Sequence, residues 1–256
     1  LLDQNFNNRF RYPIVVFYTR GALGQRLKAA IRACTLSPVV FAPITEWELP
    51  ERLRARRSEF DSRSCEDRAW PLDYLLMNRF FIQLMFREPA LADFDYFARI
   101  DTDAWFHAPV PFDPFEYMHK LDKDFVLFDK HNGEKLGCIL GMRDAIASWA
   151  RNASLPASAL ARLGAMPDQV TYDGHFGVGR LAYFRSQQYL RLATFLTDEN
   201  DGVYKHRWSD QAFYPLALSL LSTSERVDRL GWFHGFCMSH YDRPTHGARD
   251  TGYQLP

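Results

Sequence analysis

The amino-acid sequence predicts an α/β fold in which one mixed central sheet is flanked by helices. Short apolar runs typical of buried strands alternate with segments of helical periodicity along the whole chain. Hydrophobic residues make up 47% of the 256 residues, which is enough to fill one sizeable core. The sequence contains no internal repeat and no low-complexity stretch. We therefore expect a single domain over residues 1–256, with a Pro/Gly-rich tail at residues 241–256.

Apolar runs bounded by proline, glycine or charged residues predict the strands. In chain order, the predicted strands are residues 12–18, 39–41, 95–100, 124–128, 136–140 and 176–184, the last of which includes a turn. Four of the six residues at 95–100 are apolar or aromatic, which is typical of a strand buried on both faces. Arg99 interrupts this run. Because an unpaired buried charge is costly, we expect Arg99 to be ion-paired.

Apolar residues spaced three or four apart predict the helices. In chain order, the predicted helices are residues 21–34, 46–57, 73–85, 115–121, 143–150, 186–197 and 210–221. Pro50 suits the first turn of the second of these helices, where its missing N–H has no intrahelical partner. Residues 61–68 and 152–166 are polar or rich in small residues, and we expect surface loops there.

Charge, hydropathy and cysteine content narrow the class of protein. Lys+Arg and Asp+Glu both number 31, so the net charge is zero and no basic field attracts nucleic acid. No apolar run reaches the ~20 residues that span a bilayer, and no signal peptide opens the chain. The cysteines at 34, 65, 138 and 237 lack metal-type spacing. They allow one or two disulfides in an oxidising compartment, and the sequence leaves their connectivity open.

Two carboxylates, Asp101 and Asp103, directly follow the predicted strand at residues 95–100. Open α/β sheets bind ligands at the carboxyl ends of strands, and two acids this close repel unless a hard cation compensates them. The sequence therefore predicts that Asp101 and Asp103 hold a divalent metal against a diphosphate. A strand-end turn with solvated acids is an alternative, since Asp-x-Asp is a weak motif. A second alternative is a phosphatase with an aspartate nucleophile. Ala104 and Trp105, which follow Asp103, disfavour this alternative, since such sites usually have a small residue and Thr or Val there.

A longer spaced pattern lies in the second half of the chain. Tyr183-Phe184-Arg185-Ser186 precedes a predicted helix, and Arg207-Trp208-Ser209-Asp210 opens the next apolar helix. This order resembles the fungal-type α-1,2-mannosyltransferases of glycosyltransferase family 15, which have glycine in place of Ser209. Residues 8–13, 43–53 and 74–81 resemble the same family, so the likeness extends from residue 8 to about residue 241. The resemblance implies a GT-A fold.

The resemblance also implies a metal-dependent glycosyltransferase that uses Mn²⁺ or Mg²⁺. Its donor would be a nucleotide sugar, with GDP-mannose favoured, and its acceptor a hydroxyl of a glycan or glycoprotein, with retention of configuration. Such enzymes are catalytic parts of type II membrane proteins in the Golgi lumen, so membrane attachment would use an anchor absent from this chain. The family's first nucleotide-binding strand would lie upstream of Leu1.

The resemblance assigns roles around the metal. Asp103 is expected to bind the metal directly, and Asp101 to bind either the ribose of the donor or a metal-bound water. His240 resembles a C-terminal histidine that closes the metal site in the family, and His234 is the alternate. Hard oxygen ligands together with a histidine favour Mn²⁺. Packing within the aromatic segment at residues 231–240 is the alternative for either histidine.

Contacts with the substrates are implied for residues on further segments. The expected catalytic residues are Asp210, His175 and Asp173, and the expected donor- or acceptor-binding residues are Tyr74, Arg79, Asp101, Arg207 and Trp208. Ordinary structural roles remain open for them, namely helix capping for Asp210, core packing for Trp208 and Tyr74, and a salt bridge for Arg79.

Two departures from the family affect these expectations. The family carries a Glu-Pro-acid sequence after the metal strand, whereas this chain has the commoner Asp-x-Asp form, so metal use is still expected. Gly177 occupies the position of a glutamate that is proposed as the nucleophile of the family. A covalent double displacement through that residue is therefore excluded, and a non-catalytic carbohydrate-binding relative is an alternative to the enzyme.

Overall fold

The secondary structure of a computed structural model is described here for residues 2–60, 62–65, 68–128, 130–230 and 238–240. In chain order, the strands are β1 Ile14–Tyr18, β2 Val39–Pro43, β3 Ser62–Cys65, β4 Arg68–Pro71, β5 Tyr96–Ile100, β6 Ala104–Phe106, β7 Phe125–Leu127, β8 Lys130–Asn132, β9 Val170–Tyr172, β10 Phe176–Arg180, β11 Val227–Arg229 and β12 Met238–His240. The α-helices are α1 Asn8–Phe10, α2 Gln25–Ala33, α3 Glu51–Arg54, α4 Leu72–Ile82, α5 Pro114–Lys120, α6 Met142–Asn152, α7 Ala157–Ala165, α8 Leu181–Phe184, α9 Gln187–Thr194, α10 Gly202–His206 and α11 Asp210–Leu221. Among the described helices, none combines the length and the hydropathy that a membrane span requires.

The central sheet has the strand order β11-β7-β10-β5. Strand β10 runs antiparallel to both of its neighbours, whereas β11 is parallel to β7. The prediction of an α/β fold with a mixed sheet is therefore confirmed. Strands β1 and β2 form a separate parallel pair connected through α2. Strand β6 begins shortly after the end of β5 and pairs antiparallel with β12.

Side chains alternate between the two faces of the sheet and fill two hydrophobic clusters. Phe125 and Leu127 of β7 belong to the larger cluster, which includes buried residues of α4, α9 and α11. Val126, between them, belongs to the smaller cluster, which includes residues of α5 and of the N-terminal segment. Phe97 of β5 lies in the larger cluster, and Arg99, two residues later, shares its face. The sheet therefore presents Arg99 toward α11.

Two predicted elements differ most from the observed ones, one in length and the other in type. The helix predicted at residues 46–57 is limited to Glu51–Arg54. Pro50 is the N-cap of this helix. A proline disfavours helical conformation in the residue before it, so the helix cannot extend back through Leu49 to residue 46. The strand predicted at residues 136–140 is wrong, since the segment forms the 3₁₀ turn Leu136–Cys138. A short apolar run does not distinguish these two conformations.

Two predicted surface loops contain regular structure. Residues 152–166 include α7, whose alanine-rich sequence favours a helix once Pro156 has set its start. This helix buries Ala159 and Leu163. Residues 61–68 include β3, which pairs with β4 as a hairpin. Polarity alone was misleading here, because the hairpin is anchored by the buried Cys65 and by Trp70, which packs against the larger hydrophobic cluster.

A disulfide joins Cys65 of β3 to Cys138, which ends the turn after β8. Cys34 is free and exposed. The bridge fixes one pairing that the sequence left open. It also ties the β3–β4 hairpin to the segment that carries Glu134, a residue that is important for the candidate site.

Removing this disulfide is expected to lower the free energy of unfolding by about 4 kcal/mol. The bridge joins residues separated by 73 positions, so it restricts the unfolded chain strongly. Urea denaturation of Cys65→Ala/Cys138→Ala measures the loss, with Cys34→Ala as the control because that thiol is exposed and unpaired. Equal losses in the double variant and in the control would contradict the prediction.

Candidate active site

The two acids of the predicted metal motif lie in a tight turn at the carboxyl end of β5. The backbone N–H of Asp101 donates to the carbonyl of His175 at 3.2 Å, and that of Ala104 donates to the carbonyl of Asp101 at 3.0 Å. The Asp101 side chain is half-buried, whereas Asp103 is exposed. The turn therefore directs Asp103 to the surface at the edge of the sheet.

Arg99 connects this turn to helix α11. Its Nε lies 3.0 Å from Oδ1 of Asp101, and its Nη1 donates to Oδ2 of Asp210. The guanidinium also lies 3.6 Å from the centre of the Phe81 ring. Burial alone would lower the pKa of Arg99, but the carboxylates of Asp210 and Asp101 raise it above its ordinary value. The expectation that Arg99 is ion-paired is confirmed.

Asp210 is the first residue of α11, and its side chain is only 3% exposed. The helix is capped by Ser209, whose hydroxyl accepts the N–H of Ala212 at 3.3 Å. The alternative in which Asp210 is the N-cap is therefore wrong. The carboxylate of Asp210 instead compensates Arg99, and Ser209, which stands where the resembling family has glycine, supplies the cap.

A second buried cation, Arg207, lies three residues before the start of α11. Its Nη2 contacts both carboxylate oxygens of Glu134, at 2.6 and 2.7 Å, and its Nη1 donates to the Tyr74 hydroxyl at 3.0 Å. The guanidinium stacks over the Trp70 ring, 4.4 Å from its centre. Burial raises the pKa of Tyr74, Arg207 opposes this rise and Asp210 adds to it. Tyr74 is therefore within electrostatic reach of both ion pairs.

Glu134 is a residue of this site that the sequence analysis missed. It lies in a polar segment after β8, and its side chain is 10% exposed. The only signal for it was indirect, because a buried Arg207 requires a carboxylate partner. Many acids in the sequence could be that partner, and only the fold identifies it as Glu134.

Asp173 and His175 lie beside the turn that follows β5. His175 Nε2 is 3.9 Å from Oδ2 of Asp173, and the two side chains are 17% and 11% exposed, respectively. Between them, Gly174 packs so closely against α11 that an added Cβ would lie 2.3 Å from Nε2 of Gln211. The fold therefore brings this loop, the turn after β5 and the start of α11 together.

Two of the expected substrate-binding residues lie away from this surface. Trp208 is 3% exposed, and its indole N–H donates to the carbonyl of Leu140 at 3.0 Å. Arg79 is 4% exposed and pairs with Asp198 at 2.9 Å and with Glu46 at 2.7 Å. The structure thus places Trp208 in the core and Arg79 in a salt bridge, which are the structural alternatives weighed for them.

The histidines expected at the metal can be located only in part. Strand β12 places the backbone of His240 opposite Ala104, next to Asp103 in the chain. The side chain of His240 and all of His234 and residues 241–256 lie outside the described residues. Within the part that is described, no three His, Cys, Asp or Glu side chains form a metal-binding group. An exposed carboxylate, a second carboxylate and a neighbouring histidine position nevertheless fit a hard divalent cation.

Gly177 is the second residue of β10 and pairs with Arg99 of β5 and with Leu127 of β7. A Cβ at this position would lie 2.7 Å from Cζ of Phe125. The Phe125 ring thus occupies the space that a side chain of residue 177 would need. The sheet offers no carboxylate at this position.

Two solved structures share this architecture. The Mn/GDP form of core-mannan synthase A from Aspergillus fumigatus matches with a TM-score of 0.80 at 18% identity, covering 93% of this chain and 68% of that one. The mannosyltransferase Ktr4p of S. cerevisiae in complex with GDP matches with a TM-score of 0.76 at 20% identity, covering 93% and 65%. The GT-A-like fold implied by the resemblance is confirmed.

Sequence relatives agree with the structural likeness. The probable mannosyltransferase YUR1 of Saccharomyces cerevisiae is 24% identical over 271 residues, which cover 94% of this chain and 63% of that protein. The O-glycoside alpha-1,2-mannosyltransferase homolog 3 of Schizosaccharomyces pombe is 24% identical over 259 residues, which cover 95% and 68%. This chain therefore spans just under two thirds of the length of YUR1. The family described as glycolipid 2-alpha-mannosyltransferase matches residues 1–251. With nearly the whole sequence matched, the chain belongs to the glycolipid 2-alpha-mannosyltransferase family.

Proposed function

We propose that this chain is a metal-dependent mannosyltransferase that moves mannose from GDP-mannose to a hydroxyl of a glycan or glycoprotein, with retention of configuration. The observation that carries the proposal is the turn after β5, where Asp103 is exposed and Asp101 is held by Arg99. Family membership and the Mn/GDP form of the core-mannan synthase A structure support it.

Asp103 and His240 would hold the cation, which we propose is Mn²⁺, with Mg²⁺ as the substitute. As a Lewis acid, the cation supplies stabilisation of the negative charge that develops on the departing diphosphate. Asp101 has one carboxylate oxygen bonded to Arg99 at 3.0 Å, which orients the other for the ribose or for a metal-bound water. Arg99 therefore fixes a donor-binding side chain without contacting the substrate itself.

We assign contact with the acceptor to Arg207, contact with the donor to Tyr74, and contact with the reacting sugar to His175 and Asp173. Asp173 and His175 retain exposed surface beside the turn that carries Asp103, so they are placed to stabilise the reacting sugar. Asp210 is buried against Arg99, which favours a role in positioning the acid turn over direct contact with an acceptor. Gly177 supplies no carboxylate, so retention in this chain would proceed without a covalent intermediate on that residue.

We further propose that the protein works in the Golgi lumen, as the catalytic part of a membrane-anchored protein. The Cys65–Cys138 disulfide supports a secretory location, because such bonds persist in oxidising compartments. Gly177 favours a second candidate function, in which the protein binds carbohydrate without transferring it.

A thermal-shift panel of GDP-, UDP- and CMP-sugars, each with and without Mn²⁺, tests the donor assignment. At a concentration 100 times its Kd, the specific donor is expected to raise Tm by about 5–10 °C. GDP-mannose should produce the full rise only with Mn²⁺, and mannose should then appear on a glycan acceptor. A shift without transfer would favour the carbohydrate-binding alternative. Release of phosphate from phosphomonoesters without any sugar acceptor would point to a phosphatase.

A further inference from the structure

A groove of about 650 Å³ lies at the other end of the sheet from Asp103. It is lined by three arginines together with aromatic and polar side chains, namely Arg87, Arg185, Arg191, Trp149, Gln187 and Thr194. Arg185 shows where the groove lies relative to β5. Its guanidinium donates to the carbonyls of Phe86, Leu91 and Phe94, which precede that strand. Asp103 follows β5, so the length of the strand, about 17 Å, separates the groove from the acid turn.

The arginines of the groove differ electrostatically from those of the candidate active site. Arg99 and Arg207 are each paired with a carboxylate. In the described residues, Arg87, Arg185 and Arg191 have no carboxylate within 4.0 Å, although Glu199 contributes to the lining. Three guanidinium groups with a single carboxylate in the lining leave a net positive charge, which favours an anion between them.

The remaining lining suits a sugar. Gln187, Arg191 and Thr194 occupy one stripe of α9, since they are spaced four and three residues apart. Arg87 Nη2 donates to the Thr194 hydroxyl at 3.4 Å, so this arginine faces the same stripe. Trp149 of α6 is half-buried and contributes an aromatic ring to the lining of the same groove. An aromatic ring beside amide and hydroxyl groups binds the apolar face and the hydroxyls of a pyranose together.

We propose that this groove is a second carbohydrate site, which binds a sugar carrying a phosphate ester or a carboxylate. Arginine recognises either group through two parallel hydrogen bonds, while Trp149 packs on the sugar ring. The volume lies in the range of small-molecule sites. Binding here needs neither metal nor nucleotide, so it does not depend on the function proposed for the acid turn.

Isothermal titration without Mn²⁺ or nucleotide tests the proposal, with mannose 6-phosphate, glucuronate, methyl α-mannoside and inorganic phosphate as probes. At least one anionic sugar should bind about tenfold more tightly than both methyl α-mannoside and inorganic phosphate. Whether mannose 6-phosphate or glucuronate binds more tightly shows whether the groove prefers a phosphate or a carboxylate. Asp103→Ala should bind it as the unmodified protein does.

Two variants and a matched control locate the binding. Arg191→Glu and Trp149→Leu should each lower the affinity for the anionic sugar by about tenfold or more. Arg26→Glu should not, although Arg26 is likewise an exposed helical arginine. Arg87→Glu provides a second charge reversal if Trp149→Leu perturbs folding, which circular dichroism would reveal.

Several results would overturn the proposal. These are no binding of either anionic sugar, equal affinity for inorganic phosphate, or an equal loss in Arg26→Glu. Tighter binding of polyglutamate than of both sugars would assign the groove to acidic peptides instead. Arg191→Glu should retain mannose transfer to a small neutral acceptor, so loss of the groove and loss of the transfer function remain distinguishable.

Discussion

Replacing Arg99 with methionine is expected to lower the free energy of unfolding by about 3–5 kcal/mol. The side chain of Asp210 is only 3% exposed and depends on Arg99 for its counter-charge. Its carboxylate would remain buried and unpaired in the variant, and Asp101 would lose its contact at 3.0 Å. Chemical denaturation of Arg99→Met measures the loss.

The double variant Arg99→Met/Asp210→Leu is the internal test of this explanation. Because it removes both charges, it should regain much of the stability that Arg99→Met loses. Lys120→Met serves as the control, since the Lys120–Glu116 pair is exposed and should matter little. If the double variant is less stable than Arg99→Met, the ion pair is not the cause of the loss.

Replacing Asp103 with alanine is expected to reduce kcat for mannose transfer by about a thousandfold or more. The substitution removes the carboxylate that we assign to the cation, so the charge on the leaving diphosphate is no longer compensated. Asp103 is exposed, so the free energy of unfolding measured without metal should change little. Steady-state kinetics and denaturation of the same preparation check both expectations.

Asp93→Ala is the matched control for Asp103→Ala. Asp93 is also exposed, but it precedes β5 and therefore lies at the other end of the strand. Its replacement should leave transfer unchanged. Unchanged turnover in Asp103→Ala, or an equal loss in Asp93→Ala, would reject the metal-binding role of Asp103.

The acid turn could be predicted because its signal is local. An apolar run that ends in Asp101 and Asp103 marks both a strand and its carboxyl end, and β5 ends at Ile100 as expected. The need for a partner at Arg99 was equally local, because the residue lies inside that run. Its actual partner Asp210 is 111 positions away, so only the fold identifies it.

Other parts of the site depend on contacts that the sequence does not specify. Glu134 meets Arg207 across 73 positions and lies in a segment without periodicity. Trp208 belongs to a recognisable motif, yet the motif does not reveal that its ring is buried against Gly202, where an added Cβ would lie 2.2 Å from it. Composition likewise concealed the β3–β4 hairpin, because its contacts with the rest of the fold rest on few residues, namely the Cys65–Cys138 disulfide and the packing of Trp70 against the larger hydrophobic cluster.

Calorimetric titration of GDP with and without Mn²⁺, in the unmodified protein and in Asp103→Ala, tests the central claim most directly. If the acid turn holds a cation against the diphosphate, Mn²⁺ should tighten GDP binding by about tenfold or more in the unmodified protein and not in the variant. Equal GDP affinity with and without Mn²⁺, or the same enhancement in Asp103→Ala, would contradict it.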